Sequence, residues 1–132
     1  MVCLIDTHVW LWWIARLPRL SPALLNALDE MEERPFLSVA SLWELSLLVQ
    51  TNRITLAPSA EEWLRLALHP GAIRLAQITP HVALELLALP STFHRDPADR
   101  TIVATARALN VPVLTYDGRI RRCGLVKLWR TK

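Results

Sequence analysis

Short apolar runs alternating with longer amphipathic segments are the feature that most constrains the fold of this chain. Four runs have the length and composition of buried parallel strands, and a fifth follows near the end. They cover residues 2–5, 35–38, 72–78, 111–115 and 125–129. Because parallel strands need crossover connections, the pattern predicts an α/β fold with a central, mostly parallel β-sheet flanked by helices on both faces.

Helix start signals support the same alternation. Pairs of a capping residue with a proline or an acidic residue precede four of the apolar periodic segments. These pairs are Ser21-Pro22, Ser59 with Glu62, Thr79-Pro80 and Asp96-Pro97. The predicted helices cover residues 8–16, 22–33, 41–50, 80–89 and 97–109, another runs from Ser59 to Pro70, and residues 117–123 form a turn or short helix. Without a repeat or linker, residues 1–132 are expected to be one domain.

Composition excludes several classes of protein. Hydrophobic residues make up 52% and charged residues 20% of the chain, which is far from a disordered composition. Cys3 and Cys123 match no zinc-site spacing and favour a reducing compartment. The longest apolar run, residues 9–15, is too short to cross a membrane, and no basic leader precedes the first apolar segment. A cytoplasmic protein without a membrane partner is therefore expected.

The twelve carboxylates divide into two groups. Seven lie on polar helix faces or in first turns and are expected to be solvated. They are Asp29, Glu30, Glu32, Glu33, Glu61, Glu62 and Glu85. Of the others, Asp6 and Asp117 follow strands, whereas Glu44 and Asp99 lie near the starts of helices. Strand C-termini and crossover-helix N-termini meet at one edge of a parallel sheet, so these four acids should converge on one crevice.

Each of these acids also has an ordinary local explanation. Asp6 could simply cap the next helix, Glu44 could form a capping box with Ser41, and Asp96 is a natural N-cap. Asp99 occupies a position that the helix dipole favours, and Asp117-Gly118 is a common turn pair. The functional interpretation rests on all of them together.

Carboxylates brought close together repel one another unless a cation lies between them. Oxygen ligands favour Mg²⁺ or Mn²⁺ over zinc or copper. A pair of such ions is a standard means of hydrolysing a phosphodiester, since one activates water and the other stabilises the leaving oxygen. Arg95 and Arg100, together with the basic C-terminal residues, would bind phosphates. His94 and Arg95 adjoin the Asp96 turn and are therefore candidates for a place near the predicted site.

Four segments, in this order and spacing, resemble the PIN-domain ribonuclease toxins, specifically the VapC toxins of VapBC toxin–antitoxin modules. They read LIDTHV at 4–9, SVASLWEL at 38–45, HRDPADRTIVATA at 94–106 and VLTYD at 113–117. The resemblance spans essentially the whole chain. It implies a PIN-like fold and an Mg²⁺-dependent endoribonuclease that cuts tRNA, rRNA or mRNA to leave 5′-phosphate and 3′-hydroxyl ends. It also implies a homodimer and a VapB-like antitoxin that covers the active site.

The resemblance assigns roles to individual residues. Asp6, Glu44, Asp99 and Asp117 match the acids that bind Mg²⁺ or Mn²⁺ in this family. Three further residues match auxiliary positions, namely Asp96, Thr7 and Thr115, of which the two threonines would support the site by hydrogen bonding. Ala98 departs from relatives that often have a bulky apolar residue there, a difference that concerns packing more than chemistry.

Tryptophans are unusually frequent, and four of them carry a separate prediction. Trp10, Trp12 and Trp13 lie on the first helix and Trp43 precedes Glu44. Adjacent helical positions point about 100° apart, so the three cannot all face one core. The alternatives are burial in the core, an apolar surface for an antitoxin or a dimer partner, and stacking on RNA bases.

Two rival functions stay open at this stage. A catalytically silent PIN-like interaction module would use its acids only as helix caps. A phosphoryl-accepting receiver domain would need paired acids after the first strand and a lysine at the end of a late strand, whereas here Asp6 stands alone and Lys127 lies within the last predicted strand.

Overall fold

A four-stranded, all-parallel sheet forms the centre of the computed structural model, which describes residues 2–130. Its strands are β1 (Leu4–Ile5), β2 (Phe36–Ser38), β3 (Arg74–Ala76) and β4 (Val113–Leu114). The strand order is β3-β2-β1-β4, with β1 paired to both β2 and β4. The predicted α/β fold class is confirmed, because every connection between these parallel strands contains helices.

Seven helices connect and follow the strands in the described part of the chain. They are α1 (Thr7–Ile14), α2 (Pro22–Asp29), α3 (Val39–Gln50), α4 (Ala60–Ala67), α5 (Pro80–Ala88), α6 (Pro97–Leu109) and α7 (Gly118–Arg122). The capping residues predicted for four of them are confirmed. Ser21, Ser59, Thr79 and Asp96 each accept a hydrogen bond from the backbone N–H three residues later.

The sheet separates two apolar cores, as the alternation of side chains along its strands requires. Ile5, Leu37 and Leu114 face a core shared with α1 to α4. Leu4 and Val113, each displaced by one residue, face the other core, which is closed by α5, α6 and α7. Helices therefore cover both faces of the sheet, as predicted.

Several predicted element boundaries are wrong. The helix predicted over residues 22–33 ends at Asp29, and the helix predicted from residue 41 begins at Val39, where Ser38 rather than Ser41 is the N-cap. The strand predicted over residues 125–129 is reduced to one parallel bridge between Val113 and Leu128. Around that bridge the Val113 N–H donates to the Lys127 carbonyl and the Trp129 N–H donates to the Val113 carbonyl, whereas the Thr115 carbonyl accepts from the Arg121 side chain.

Two of the tryptophans predicted to form a binding surface are core residues. Trp10 is completely buried and packs edge-on against Trp63, with 5.2 Å between the ring centroids. Trp13, one turn later on the same face of α1, is also buried and donates from Nε1 to Asp29 at 3.0 Å. The interface prediction is wrong for this pair, because α1 packs that face into the first core.

The other two tryptophans remain accessible. Trp12 is half-buried and its ring lies 5.5 Å from that of Tyr116, whereas 51% of Trp43 is exposed on α3. Within residues 2–130, every helix is too short or too polar to span a bilayer.

Candidate active site

The carboxyl edge of the sheet brings acidic residues from distant parts of the sequence to one place. Asp6 directly follows β1 and is the N-cap of α1, while Asp117 follows β4 and is the N-cap of α7. Asp99 lies in the first turn of α6, whose N-cap is Asp96. Asp6, Asp96 and Asp117 thus cap helices, as their local sequence suggests. The same folding also brings the acids of the carboxyl edge together.

Asp6 is the most deeply placed of these acids, with only 4% of the residue exposed. Its Oδ1 accepts from the backbone N–H of Val9 at 2.9 Å, and its Oδ2 accepts a short hydrogen bond from the Thr115 hydroxyl. Burial raises the pKa of the Asp6 carboxyl, although these hydrogen bonds act against the rise. A charged Asp6 is therefore costly unless a cation compensates it.

Thr115 connects two of the acids. Besides donating to Asp6, its Oγ1 accepts from the backbone N–H of Asp117 at 2.9 Å. The Asp117 carboxylate in turn accepts from the backbone N–H groups of Arg119 and Ile120. Burial raises the pKa of Asp117, but these backbone bonds and the Arg119 side chain outweigh it, so the pKa falls below its ordinary value.

Asp99 and Asp117 form a tight group with His94. One potential ligand atom from each of the three side chains lies within 4.8 Å of the other two. His94 Nε2 is 3.3 Å from Asp99 Oδ2, yet among the described residues neither ring nitrogen of His94 makes a hydrogen bond, although both are buried. Unpaired buried nitrogens beside two carboxylates are suited to a further partner.

Arg119 is the only arginine that approaches both carboxylates of this group among residues 2–130. Its Nη2 lies 3.4 Å from Asp117 Oδ2 and 3.8 Å from Asp99 Oδ2. One guanidinium does not balance the surrounding negative charge. Burial, followed by the charges of Asp96, Asp117 and Glu44, raises the pKa of Asp99 to about 7, against the opposing effect of Arg119.

Glu44 belongs to this electrostatic environment without being part of the closest group. It lies in the second turn of α3, half-buried, and contributes to the raised pKa of Asp99. The start of α3 is tied to α1 by a buried hydrogen bond of 2.8 Å between the hydroxyls of Thr7 and Ser41. Thr7 thus positions the helix that carries Glu44.

The remaining predicted residues occupy the rim of the site. Asp96 is exposed and accepts from the Asp99 backbone N–H at 3.1 Å, so it acts as a helix cap. Arg100 donates from Nη1 to the carbonyls of Phe93 and His94, an intramolecular role that competes with the predicted binding of substrate. Arg95 is exposed beside His94.

Sequence reasoning missed two contributions to the site. Arg119 was grouped with the basic C-terminal residues, and its position two residues after Asp117 at a helix start was the available signal. Ser41 was considered only as a cap. Ser41 lies on the buried face of α3 and Thr7 follows β1. No local sequence signal reveals that these two hydroxyls form a hydrogen bond.

The donor set fits a divalent cation. Carboxylate oxygens from Asp99 and Asp117, with Asp6 and Glu44 in the same electrostatic environment, are the ligands that Mg²⁺ and Mn²⁺ accept. The unpaired His94 nitrogens are compatible with Mn²⁺ or with a metal-bound water.

Comparison with known proteins identifies the family. A model described as PIN domain matches residues 3–125. The chain belongs to the PIN-domain family. It is 43% identical over 121 residues to Ribonuclease VapC22 of Mycobacterium tuberculosis, an alignment that covers 89% of this chain and 88% of that protein. Within the family, this PIN domain is therefore one of the VapC ribonucleases, and the resemblance found in the sequence is confirmed.

Two solved structures have the same fold. VapBC2 from Rickettsia felis, determined with a DNA fragment from its promoter, superimposes on the PIN domain with a TM-score of 0.74 at 15% identity and covers 98% of each chain. FitAcB from Neisseria gonorrhoeae gives a TM-score of 0.68 at 22% identity, with 98% of this chain and 97% of that one covered. At such identities the likeness concerns the fold alone.

Proposed function

We propose that this chain is the toxin of a toxin–antitoxin pair and hydrolyses RNA phosphodiester bonds with Mg²⁺ or Mn²⁺ held by Asp6, Glu44, Asp99 and Asp117. The observation that carries the proposal is the surplus of negative charge at the carboxyl edge. Burial, followed by the charges of Asp96, Asp117 and Glu44, raises the pKa of Asp99 to about 7, even though Arg119 lies beside both Asp99 and Asp117. Helix capping alone needs no such surplus.

The residues of the chain divide the work of holding a cation. Asp99 and Asp117 present their oxygens toward each other, and backbone N–H groups fix the orientation of Asp117. Thr115 orients Asp6 through the hydroxyl that also accepts from the backbone of Asp117. Such outer hydrogen bonds keep ligands in place between turnovers.

The cation would supply Lewis-acid chemistry, since it lowers the pKa of water and stabilises the leaving oxygen of the phosphodiester. The site therefore requires no serine or cysteine nucleophile. Attack by water at phosphorus with departure of the 3′-oxygen leaves a 5′-phosphate and a 3′-hydroxyl. Arg119, beside both acids, is placed to contact a phosphate once a cation neutralises the carboxylates.

A VapB-like antitoxin and a second copy of the chain are the protein partners that we propose. The Rickettsia felis relative was solved as a VapBC2 complex. On this chain Trp43 is exposed and precedes Glu44 on α3, so we propose that its ring is a contact for the antitoxin. Growth arrest on expression in the cytoplasm, relieved by the co-expressed antitoxin, would support this part of the proposal.

Cleavage of RNA by the purified protein tests the central claim. We expect cleavage with Mg²⁺ or Mn²⁺, none in excess chelator, and a loss of about 10²- to 10³-fold in rate for Asp6→Asn or Asp99→Asn, because several kcal/mol of transition-state stabilisation depend on the cation. Glu30→Gln, which alters an exposed acid after α2, is the matched control and should keep full activity. Cleavage that persists in chelator, or in both asparagine variants, would contradict the mechanism.

A further inference from the structure

A cleft of about 290 Å³ adjoins the acidic group on the side of α7. We call it the basic cleft and define it by the residues Pro90, Phe93, His94, Arg119, Arg122 and Leu125. Its apolar lining comes from the segment after α5 and from Leu125, and its charges come from two arginines of α7. The volume lies near the lower end of the range for small-ligand pockets, which suits one nucleotide unit.

Arg122 supplies the cleft with a positive charge that is not used in an ion pair among the described residues. Within residues 2–130 its guanidinium has neither a carboxylate within 4.0 Å nor a hydrogen-bond partner. By contrast, the guanidinium of Arg119 is engaged by Asp117 and Asp99, and that of Arg121 by the carbonyl of Thr115. A guanidinium with all of its donors free is the group that proteins favour for binding phosphate.

Gly118 leaves space that the Arg122 guanidinium occupies. A Cβ atom added at Gly118 would overlap Nη1 of Arg122 and come within 3.1 Å of its Cζ. The absence of a side chain at residue 118 thus allows the guanidinium to fold back over the start of α7. In this position Arg122 lines the cleft.

The basic cleft is continuous with the proposed catalytic site. His94 and Arg119 line the cleft, and the same two side chains contact Asp99. A chain of phosphates crossing the acids would therefore pass from Arg119 to Arg122. Neighbouring phosphates in a single strand are several ångströms apart, so two cationic groups on successive turns can each meet one of them.

We propose that the basic cleft binds the nucleotide next to the scissile bond, with its phosphate on Arg122 and its ribose or base against the apolar lining. This inference rests on the proposed ribonuclease function and extends it, because it assigns a substrate subsite to residues outside the acidic group. Arg122 is a binding residue in this proposal and takes no part in the chemistry.

Binding of mononucleotides in chelator tests the subsite without relying on catalysis. The four 5′-mononucleotides and inorganic phosphate are titrated separately and followed by NMR shifts of the cleft residues. Nucleotides should bind more tightly than phosphate, since only they reach the apolar lining. Arg122→Gln should weaken nucleotide binding about tenfold or more, the value of a charge-assisted hydrogen bond.

A charge-neutral variant and a matched control complete the test. Gly118→Ala retains every charge but displaces the guanidinium, and it should weaken nucleotide binding by about three- to tenfold. Arg53→Gln removes an exposed arginine after the C-terminal end of α3, away from the carboxyl edge, and should change binding less than twofold. Equal weakening by Arg122→Gln and Arg53→Gln, or unchanged binding in Arg122→Gln, would overturn the proposal.

Steady-state cleavage separates this inference from the proposed function. In Arg122→Gln, KM for an RNA substrate should rise about tenfold with kcat within twofold of the parent, as expected for lost uniform binding. If the protein binds nucleotides through Arg122 yet cleaves no RNA, the subsite proposal stands and the proposed ribonuclease function is wrong. If Arg122→Gln cleaves RNA at the full rate with an unchanged KM, the subsite proposal is wrong and the proposed ribonuclease function stands.

Discussion

The two ends of α6 carry ion pairs of opposite character. At its C-terminal end, Arg107 meets one carboxylate, Glu85, at 2.7 Å and also donates to the carbonyl of Leu125 at 2.8 Å. At its N-terminal end, Asp99 lies among other acids, with Arg119 at 3.8 Å as its nearest guanidinium. One end is balanced charge for charge, and the other has an excess of carboxylates.

Both ends obey the same rule of helix electrostatics. The N-terminal end of a helix favours negative side chains and the C-terminal end favours positive ones. The raised pKa of Asp99 therefore arises despite a favourable dipole, from burial and from the neighbouring acids. Ion pairing therefore accounts for one end of α6, whereas at the other end the carboxylates outnumber the arginine beside them.

The largest expected effect is stabilisation by Mn²⁺. At a concentration of about 100 times its Kd, Mn²⁺ should stabilise the protein by about 2.7 kcal/mol and raise the melting temperature by roughly 10 °C. Glu85→Gln should keep this shift and Asp99→Asn should lose most of it. Thermal unfolding with and without Mn²⁺ measures the effect, and no shift in the parent protein would favour the silent interaction module.

A smaller effect concerns pH in the presence of chelator. Because the pKa of Asp99 is about 7 in the folded protein and near 4 when unfolded, its contribution to stability is complete below pH 4 and is lost as the pH rises through 7. The loss should be about 2 kcal/mol, since solvent screening reduces the full value. Chemical unfolding at pH 5 and pH 8 measures it.

Asp99→Asn supplies the control for this pH dependence. An asparagine has no proton to lose, so the variant should be less sensitive to pH and more stable than the parent at pH 8 in chelator. Glu85→Gln should leave the slope between pH 5 and pH 8 in place. An equal slope in the parent and in Asp99→Asn would show that Asp99 is not its source.

Arg119 should compete with a bound cation. Its guanidinium lies between Asp99 and Asp117, where positive charge is most favourable. Arg119→Gln removes that competitor, so the affinity for Mn²⁺ should increase by about threefold, a modest change because the arginine is half-exposed and screened. Calorimetric titration with Mn²⁺ decides the point, and weaker binding in the variant would mean that Arg119 supports the metal site.

The smallest effect is expected at the balanced end of α6. Glu85→Gln breaks an ion pair near the surface and should lower the free energy of unfolding by about 0.5 kcal/mol. The loss should shrink at high salt as screening increases. Denaturant unfolding at two salt concentrations measures it, and a loss much above this value would mean that the pair has a larger role in holding the segment that contains Leu125.

Local signals predicted the parts of the fold that depend on neighbouring residues. The four caps follow from short patterns such as Asp96-Pro97, and the four parallel strands follow from short apolar runs. The same signals placed Asp6 and Asp117 after strands that pair side by side. Patterns of this kind act over a few residues, and they survive folding because tertiary packing does not oppose them.

Predictions that required knowledge of neighbouring elements were less successful. The sequence leaves core burial and a partner surface as alternatives for Trp10 and Trp13, and the face of α1 that carries them packs into the first core. The strand predicted near the C-terminus is reduced to one bridge with Val113, and the Thr115 carbonyl accepts from Arg121. For the tryptophans, packing against elements that are distant in sequence decided the outcome.

The amino-acid order alone determined the α/β alternation, the capping residues and which acids stand at the ends of strands and the starts of helices. Tertiary packing alone decided the hydroxyl pair of Thr7 and Ser41, the link from Asp6 through Thr115 to Asp117, and the position of Arg119 between two carboxylates. The reason is physical. Hydrogen bonds and charge interactions act over a few ångströms, and only the packed sheet brings residues 6 and 115 within that distance.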